Sequence, residues 1–488
     1  MTPDLLLALD EGTTSARAIA FDLTGREMAS HAVRIAQANP APGWVEQDAD
    51  ELWSATRTAA RAVLDEVGVA RIAAIGLTNQ RETIVFWDAA TGAPLAPAIV
   101  WQDRRGSELC AGIVAAGDEP WVQARTGLVV DAYFSASKIA WALAHWPAVR
   151  AAADTGRLRL GTVDSWLLWK LTDGRAYATD ATNASRTLLM DLDTCQWDAD
   201  LCARFGVPPD ALPRIVDSAG RLGTATALGG LPITGCAGDQ QAALIGHGCL
   251  LPGQAEATYG TGAFLLAHAG DTPPVSRHRL LATVAARIGG HATYALEGAV
   301  FVAGDAVRWM RDMGWFAAHA DLGALAASVP DSGGAVFVPA LTGLGAPWWR
   351  ADARGALTGL TTATRPAHVA RACLDSVAQQ TADLLDAYAA DGLPVRELRI
   401  GGGMAAVDWL AQRLADVCAL PVERPRGVES TALGAAMLAG VGAGVFADLG
   451  AAAGAMRVAE RRFDAAPPGA GRTIERAAWQ AAIARVLA

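Results

Sequence analysis

Cysteine is scarce in this sequence, and its placement excludes two classes of site. Seven cysteines are scattered over 488 residues, without a CxxC pair or a Cys/His spacing. Secreted domains held by disulfides and zinc-binding modules both need closely patterned cysteines. We therefore expect a reduced, cytosolic protein without structural zinc. The cysteines stand at positions 110, 195, 202, 236, 249, 373 and 418.

Lysine is almost absent, and negative charge is in excess. Lys138 and Lys170 are the two lysines, and the formal net charge at pH 7 is −10. Nucleic acids and anionic membranes attract proteins of the opposite charge. We expect neither as a partner of this chain.

Long apolar runs are missing too. No basic region precedes the short apolar run at the N-terminus, which argues against a signal peptide. The uncharged stretch Thr431–Phe446 is mostly alanine and glycine and is too short for a membrane span. We expect a buried helix there and no membrane insertion.

Two common nucleotide-binding motifs are absent: there is no GxxxxGK[ST], and no GxGxxG follows the first predicted strand. The chain begins instead with an apolar run, Leu5–Leu9, a polar turn, Glu11–Ser15, and a second apolar run, Ala18–Phe21, which together predict a β-hairpin. The turn's hydroxyls and backbone amides suit phosphate oxygens, and Gly12 lets an anion approach. Asp10 at its edge suits a hydrated Mg²⁺. An ordinary hairpin turn would look the same.

A second copy of this arrangement favours the phosphate interpretation. Ala255–Ala267 has a strand-like run, the turn Gly260-Thr261-Gly262 and a returning apolar run, and Leu398–Gly403 ends a third strand in three glycines that suit an adenine ring. Two such units predict two like-built domains facing each other across a nucleotide. We predict an α/β fold of two actin-like (ribonuclease H-like) domains of the hexokinase/Hsp70 ATPase type. The domains are placed at residues 1–247 and 248–488, with an interdomain cleft between them.

Further elements follow from residue patterns. Predicted strands are Ala29–Ala36, Ile72–Leu77, Ile84–Trp87 and Ala98–Trp101, with another beginning at Asn183; predicted helices include Ala49–Val67, one preceded by Tyr133–Lys138, one containing Trp166–Leu171, and Ala242–Gly248. The tail past Phe446 is predicted to be helical.

Polar residues stand where predicted strands end, the position at which such sheets bind ligands. Arg81 and Glu82 follow one strand, and Asp239 lies between a strand and a helix. These residues also have purely structural interpretations. Arg81 and Glu82 could form a solvated charge pair, and Asp239 could be a helix N-cap. Trp101, at the end of another predicted strand, could be a core aromatic. The chemical alternative for Asp239 is a general base.

A small polyol such as glycerol needs donors and acceptors for its hydroxyls and an apolar wall for its carbons. The sequence offers a full complement: Glu82 and Asp239 accept, Arg81, Gln240 and Tyr133 donate, and Trp101 and Phe264 supply the wall.

A dozen motifs, in order, resemble the FGGY carbohydrate kinase family, and within it the glycerol kinases. They are DEGTTSARA, GWVEQD, NQRET, IVWQDRR, DAYFSASK, TNASRT, AGDQQAA, TYGTGAF, YALEGAVFVAGDAVRW, FVPALTGLGAPWW, ARGALTGLT and TALGAAMLAG. The resemblance covers nearly all of Leu5–Phe446. It implies ATP-dependent phosphorylation of a terminal polyol hydroxyl in a cleft between two actin-like domains.

The resemblance also implies roles for single residues. Asp10 holds Mg²⁺ and Asp239 takes the hydroxyl proton. The polyol site comprises Arg81, Glu82, Trp101, Tyr133, Asp239, Gln240 and Phe264. The nucleotide site comprises Thr13, Thr14, Ser15, Arg17, Thr261, Gly304, Arg308 and Gly403.

The chain departs from the family pattern near the nucleotide. Glu11 and Arg308 replace glutamines, and Val407 and Asp408 replace asparagines. These changes bear on nucleotide affinity and base preference. Gly220–Gly235 also lacks the basic glycine loop through which some relatives sense fructose 1,6-bisphosphate, so we expect no inhibition by that compound.

Two alternatives stay open. One is a kinase of the same fold for another polyol or ketose, such as erythritol, threitol or xylulose. The other is a nucleotide-dependent regulator without catalysis, against which Asp10 and Asp239 argue. Family resemblance further implies a homodimer or homotetramer.

Overall fold

The computed structural model describes residues 3–316, 321–427, 429–467 and 470–488. Its strands are β1 (Leu5–Glu11), β2 (Ser15–Asp22), β3 (Glu27–Arg34), β4 (Glu46–Gln47), β5 (Ile72–Asn79), β6 (Ile84–Asp88), β7 (Ala98–Ile99), β8 (Leu158–Thr162), β9 (Ala178–Asp180), β10 (Met190–Asp191), β11 (Gln196–Trp197), β12 (Arg214–Val216), β13 (Ala219–Ala225), β14 (Leu231–Gly238), β15 (Gln254–Tyr259), β16 (Ala263–Gly270), β17 (Leu281–Ile288), β18 (His291–Val300), β19 (Val336–Val338), β20 (Ala356–Thr358), β21 (Glu397–Gly401), β22 (Val422–Pro425) and β23 (Ala459–Phe463).

The α-helices are α1 (Ala49–Val67), α2 (Ser107–Ala115), α3 (Glu119–Thr126), α4 (Ser135–His145), α5 (Pro147–Asp154), α6 (Val163–Leu171), α7 (Ala181–Ala184), α8 (Ala199–Phe205), α9 (Asp239–Gly246), α10 (Gly304–Asp312), α11 (Asp321–Ala327), α12 (Pro366–Ala390), α13 (Asp408–Cys418), α14 (Ser430–Gly442), α15 (Leu449–Met456) and α16 (Ala470–Leu487). Short 3₁₀ turns occupy Val69–Arg71, Pro209–Ala211, Thr226–Leu228 and Gly403–Ala406.

The main sheet contains two units of the same design. One has the strand order β3-β2-β1-β5-β14 and the other β18-β16-β15-β21-β22. In each unit the first three strands of this order are antiparallel to one another in turn. The last two run parallel to the third strand, which is β1 in one unit and β15 in the other. This repetition confirms the predicted pair of like-built halves and the α/β fold. Strands β13 and β17 join the units, pairing at Ala219 and Ile288.

The core of the first unit lies around β1, whose residues Leu5–Leu9 are completely buried. A strand covered on both faces reads as a continuous apolar run, as this one does. Helix α1 covers one face, and its bounds are those predicted. Asp48 begins it, accepting from the amides of Asp50 and Glu51, and Gly68 at φ 86° ends it.

Helix α14 is the buried helix predicted for the uncharged alanine- and glycine-rich stretch. It comes from the second half of the chain but packs on α9 and on strands β1, β5 and β14 of the first unit. A Cβ at Gly434 would lie 1.8 Å from the carbonyl oxygen of Ala242, and one at Gly246 would lie 1.9 Å from that of Ser430. Glycine on both helices therefore permits contact of backbone on backbone.

Two predicted helices begin earlier than expected, α4 at Ser135 and α9 at Asp239, and two predictions of secondary-structure type are wrong. Asn183 does not begin a strand; it lies in α7, because the carboxylate of Asp180 caps that helix through the amides of Thr182 and Asn183. The tail past Phe446 is not entirely helical, since β23 pairs with β22 at the edge of the main sheet. The division of the chain at residues 247 and 248 stays a prediction.

Within the described ranges, no helix has the length and apolarity needed to cross a membrane.

Candidate active site

The candidate site lies where the strands of the two units end. The β1–β2 turn, the segment after β5 and the β14–α9 junction come from the first unit. The β15–β16 turn, the start of α10 and the end of β21 come from the second. Strand ends from both units meet in one cleft, as the sequence predicts.

The first turn is held on several sides. The amide of Gly12 donates to the carbonyl of Ser15 at 3.0 Å. The indole nitrogen of Trp101 donates to Thr13 Oγ1 at 3.0 Å, and Gln47 Nε2 donates to the Thr13 carbonyl at 2.7 Å. Thr14 is exposed. The turn thus has a fixed shape, with Thr14 open to an incoming phosphate.

The second turn packs against the start of α10. The amide of Gly304 donates to the carbonyl of Gly260 at 3.0 Å, and the Thr261 carbonyl accepts from the amides of Ala303 and Asp305. A Cβ at Gly304 would lie 2.4 Å from the Gly260 oxygen. Glycine is therefore required there, and these hydrogen bonds fix the turn against the N-terminus of α10.

The end of β21 makes a third close approach. Gly402 has φ 83°, and a Cβ there would lie 2.4 Å from the carbonyl oxygen of Tyr259. At Gly403 no atom lies within 4 Å of an added Cβ. The first of these glycines is required by the backbone, and the second leaves open space for a flat ring.

Three carboxyl groups gather at the cleft. The pKa of Asp10 is raised to about 7, chiefly by burial and then by the nearby charge of Asp239, while Arg17 opposes the shift. Burial likewise raises the pKa of Asp239 to about 6, against the effect of Arg81. Burial holds the pKa of Glu11 well above its ordinary value, and its Oε1 is buried without a hydrogen-bond partner.

Nearby carboxylates repel one another when ionised, and a bound cation offsets this repulsion. The oxygen donors of Asp10 and the negative charge around it are those that Mg²⁺ prefers. The residues at this position therefore fit a magnesium ion.

Arg81 and Glu82 form a buried turn rather than a solvated charge pair. Their exposures are 3% and 1%. Glu82 has φ 60°, a left-handed conformation rare outside glycine, and the Thr83 amide donates to the Arg81 carbonyl at 2.7 Å. Strained backbone of this kind is characteristic of functional sites, because surrounding contacts must maintain it. Ser135 Oγ holds it here by donating to the Glu82 carbonyl at 3.1 Å.

The side chain of Arg81 reaches three acceptors. Its Nε lies 3.1 Å from Asp239 Oδ1, and its Nη1 donates to Glu297 Oε2 at 2.5 Å and to Gln241 Oε1 at 3.3 Å. Asp239 and Arg81 therefore lie side by side, each just after the end of one of the neighbouring strands β14 and β5.

The sequence analysis did not identify two members of this network, Arg186 and Glu297. Arg186 Nε donates to Glu82 Oε1 at 2.7 Å and its Nη2 to Glu297 Oε1 at 2.9 Å. Burial alone would raise the pKa of Glu297, yet the two guanidinium groups hold it below its ordinary value. One feature of the sequence could have identified Glu297: it is a single acid inside the otherwise apolar stretch Tyr294–Val302.

The predicted aromatic wall is present. The ring centroid of Trp101 lies 5.7 Å from that of Tyr133 and 6.3 Å from that of Phe264, both edge to face. Trp101 is half-buried and not a core aromatic. Since Phe264 belongs to β16, the wall is built from both halves of the chain.

Asp239 and Gln240 begin α9 at the side of this wall. Gly238 occupies the N-cap position without a side-chain cap, so the N-cap interpretation of Asp239 is wrong. The side chain of Asp239 is 30% exposed. Gln240 Oε1 is buried and has no hydrogen-bond partner among the described residues. An open carboxylate beside an unpartnered amide oxygen suits hydroxyl groups.

Some predicted nucleotide residues have other partners. Arg17, which pairs in register with Asp10, forms an ion pair with Glu429. Arg308 is exposed and pairs with Asp305 on its own helix. Both side chains remain accessible from solvent.

Val407 and Asp408, which depart from the family pattern, lie after β21. Asp408 pairs with Arg424 Nη1 at 2.8 Å and with Arg461, so its carboxylate is engaged by β22 and β23. Val407 precedes α13 and provides no hydrogen-bonding side chain.

Comparison with known proteins agrees with this geometry. Residues 5–246 match the N-terminal domain and residues 255–443 the C-terminal domain of the FGGY family of carbohydrate kinases. The chain belongs to this family. The glycerol kinase of Rhodospirillum rubrum is 51% identical over 488 residues, which is 99% of this chain and 98% of the relative.

Solved structures show the same FGGY architecture. The crystal structure of Plasmodium falciparum glycerol kinase with ADP matches with a TM-score of 0.94 and 33% identity, covering 99% of this chain and 98% of the other. The xylulose kinase of Rhodospirillum rubrum matches with a TM-score of 0.88 and 26% identity, covering 99% of both chains. The predicted fold class is thereby confirmed.

Proposed function

We propose that this FGGY kinase phosphorylates glycerol with ATP, giving sn-glycerol 3-phosphate and ADP. The pocket that joins Arg81, Glu82 and Asp239 to the aromatic wall of Trp101, Tyr133 and Phe264 carries this proposal. Relatives about half identical over nearly the whole chain are glycerol kinases, which supports it.

The polar and apolar sides of the pocket match a three-carbon triol. Glu82 and Asp239 accept hydroxyl protons, Arg81 and Gln240 donate, and the aromatic edges cover the carbon chain. A site built to hydrogen-bond each hydroxyl strongly rejects a molecule that lacks one, because buried groups are then left unpaired.

Asp239 is proposed as the general base. Its pKa of about 6 keeps it mainly ionised at neutral pH while making it more basic than an ordinary carboxylate. It takes the proton from the terminal hydroxyl as that oxygen attacks the γ-phosphorus. Arg81, 3.1 Å away, holds the carboxylate in position.

ATP supplies the phosphoryl group, and Mg²⁺, held by Asp10, would neutralise charge on the transferring phosphates. Thr13, Thr14 and Ser15 of the first turn and Arg17 of β2 are proposed to bind the phosphates, joined by Thr261 of the second turn. Gly304, Arg308 and Gly403 are proposed to contact the rest of the nucleotide.

We also propose a cytosolic location, a homodimer or homotetramer, and domains at residues 1–247 and 248–488. Closure of these domains would exclude water, the competing nucleophile, from the γ-phosphate.

The deciding experiment measures ADP release with Mg-ATP and glycerol, dihydroxyacetone, erythritol, threitol or xylulose. We expect by far the highest kcat/KM with glycerol, and a loss of at least about a hundredfold in kcat for Asp239→Asn. Preference for another polyol or for xylulose would keep the mechanism and change the substrate. No turnover with any compound would favour the non-catalytic regulator.

A further inference from the structure

The ion pair between Arg17 and Glu429 joins two parts of the chain that meet only in the folded protein. Arg17 lies on β2, directly across from Asp10 of β1. Glu429 stands immediately before α14. The pair therefore links the first phosphate turn to a helix from the second half of the chain.

Glu429 does not have the usual structural role of a residue at a helix start. It occupies the N-cap position of α14, yet its side chain makes no capping hydrogen bond. Its carboxylate reaches Arg17 instead. The backbone that follows Glu429 is closely packed on α9. An added Cβ at Gly246 would collide with the carbonyl oxygen of Ser430, and one at Gly434 would collide with that of Ala242.

The pair is partly exposed to solvent. The side chains of Arg17 and Glu429 are 33% and 28% exposed. Half-exposed ion pairs are weak, typically worth about 1 kcal/mol or less. A polyphosphate, with several charges and bidentate oxygens, is a stronger partner for a guanidinium than one carboxylate.

We infer that Glu429 competes with the nucleotide phosphates for Arg17 and thereby weakens the binding of ATP and ADP. This inference rests on the proposed function, in which Arg17 binds those phosphates. Glu429 is a positioning residue: it acts on the nucleotide through Arg17. Lower nucleotide affinity favours release of ADP after phosphoryl transfer.

The test is a double-mutant cycle on nucleotide binding, measured by calorimetry with ADP and with ATP in the absence of glycerol. Glu429→Gln removes the charge and is expected to bind both nucleotides about fivefold more tightly, the equivalent of about 1 kcal/mol. Arg17→Gln is expected to bind them more weakly. In the Arg17→Gln background, Glu429→Gln should lose most of its effect.

A matched control is the pair of Arg204 and Asp118, which is exposed to a similar degree, 32% and 40%, and joins α8 to α3. Asp118→Asn removes the same charge there and should leave nucleotide affinity unchanged. Glu429→Asp, which draws the carboxylate back by one methylene, serves as a second variant should Glu429→Gln fold poorly; it is expected to tighten ADP binding as well.

Kinetics give an independent readout. In Glu429→Gln the KM for ATP should fall about fivefold, with the KM for glycerol unchanged. Unchanged or weaker nucleotide binding in Glu429→Gln, or an equal effect with and without Arg17, would overturn the inference. Calorimetry needs no turnover, so failure of glycerol phosphorylation in the wild type would refute the proposed function and leave this test intact.

Discussion

At the scale of single residues, the polyol site depends on charges that are buried together. Arg81, Arg186, Glu82 and Glu297 all have side chains that are 2% exposed or less. Removing one member of such a network leaves another charge buried and unpaired, which is more harmful than losing the contact itself. The network therefore keeps Arg81 and Glu82 in one arrangement before substrate binds.

Activity should fall in acid through the titration of Asp239. Its pKa is raised to about 6, so the ionised form that accepts the proton dominates above pH 6 and is lost as the pH falls through that value. We expect kcat with saturating glycerol to drop about tenfold for each pH unit well below 6. The check is a pH–rate profile from pH 4.5 to 8, with circular dichroism at each pH to verify folding. A flat profile across pH 6 would contradict the assignment.

Glu297→Gln should damage the polyol site specifically. The substitution leaves Arg81 and Arg186 facing a neutral amide, and we expect kcat/KM for glycerol to fall at least about tenfold, with stability reduced by about 3 kcal/mol. The KM for ATP should change little. Steady-state kinetics and urea unfolding measure the two effects.

The control for Glu297→Gln is Asp217→Asn, which weakens the partly buried pair with Arg287 near β13. It should leave kcat/KM for glycerol unaltered. Equal losses of kcat/KM in the two variants would mean that Glu297→Gln disturbs the whole fold and not the polyol site specifically.

At the scale of elements, the contact between α9 and α14 connects the two halves of the chain. Both helices lie against the first unit, and α9 begins with Asp239 while α14 follows Glu429. Small residues allow this close packing, which places Asp239 and Glu429 at the starts of adjoining helices.

Gly434→Ala should destabilise the protein strongly. An added Cβ would lie 1.8 Å from the Ala242 carbonyl oxygen, so the helices must separate. We expect a loss of about 2 kcal/mol or more in the free energy of unfolding. Gly454→Ala in α15 is the control, because nothing lies within 4 Å of its Cβ; a gain of up to about 1 kcal/mol is expected from helix propensity. Thermal unfolding compares the two.

Fructose 1,6-bisphosphate should not inhibit this enzyme. The segment Gly220–Gly235 forms β13, a short 3₁₀ turn and β14, an ordered antiparallel hairpin, and carries one arginine and no lysine. Such a hairpin offers little to a bisphosphate. The measurement is glycerol-dependent ADP release over a range of added fructose 1,6-bisphosphate, with equal concentrations of inorganic phosphate as the control. A saturable loss of activity would contradict this expectation.

At the scale of the whole molecule, both halves contribute to one cluster of aromatic rings. Phe264 of β16 approaches Trp101 of the first half, so the substrate wall is complete only when the halves adjoin. We propose that the same approach shields the γ-phosphate from water.

Phe264→Ala should therefore increase wasteful ATP hydrolysis. Opening the wall admits water, and we expect a higher KM for glycerol together with a larger ratio of glycerol-independent to glycerol-dependent ADP release. Phe264→Leu, which refills most of the wall, should restore much of the wild-type ratio. An unchanged ratio in Phe264→Ala would show that the aromatic wall does not control access of water.

Much of this organisation could be predicted from the sequence by local pattern. Strand-forming runs around the Gly12 and Gly260 turns, the cap at Asp48 and the uncharged helix after Thr431 are features of neighbouring residues. Whether such a segment is a strand, a turn or a helix depends on the burial, charge and backbone freedom of residues a few positions apart. The order of a dozen motifs added the family, and with it the proposed residues of the polyol site.

The tertiary structure decided the pairings that set the electrostatics of the site. Arg81 and Glu297 are 216 residues apart, and Arg186 and Glu297 are 111 apart. Such partners share no periodicity, because each contact depends on how the two units of the sheet are joined. The link from Arg17 to Glu429 is of the same kind, since folding alone brings α14 to the first phosphate turn.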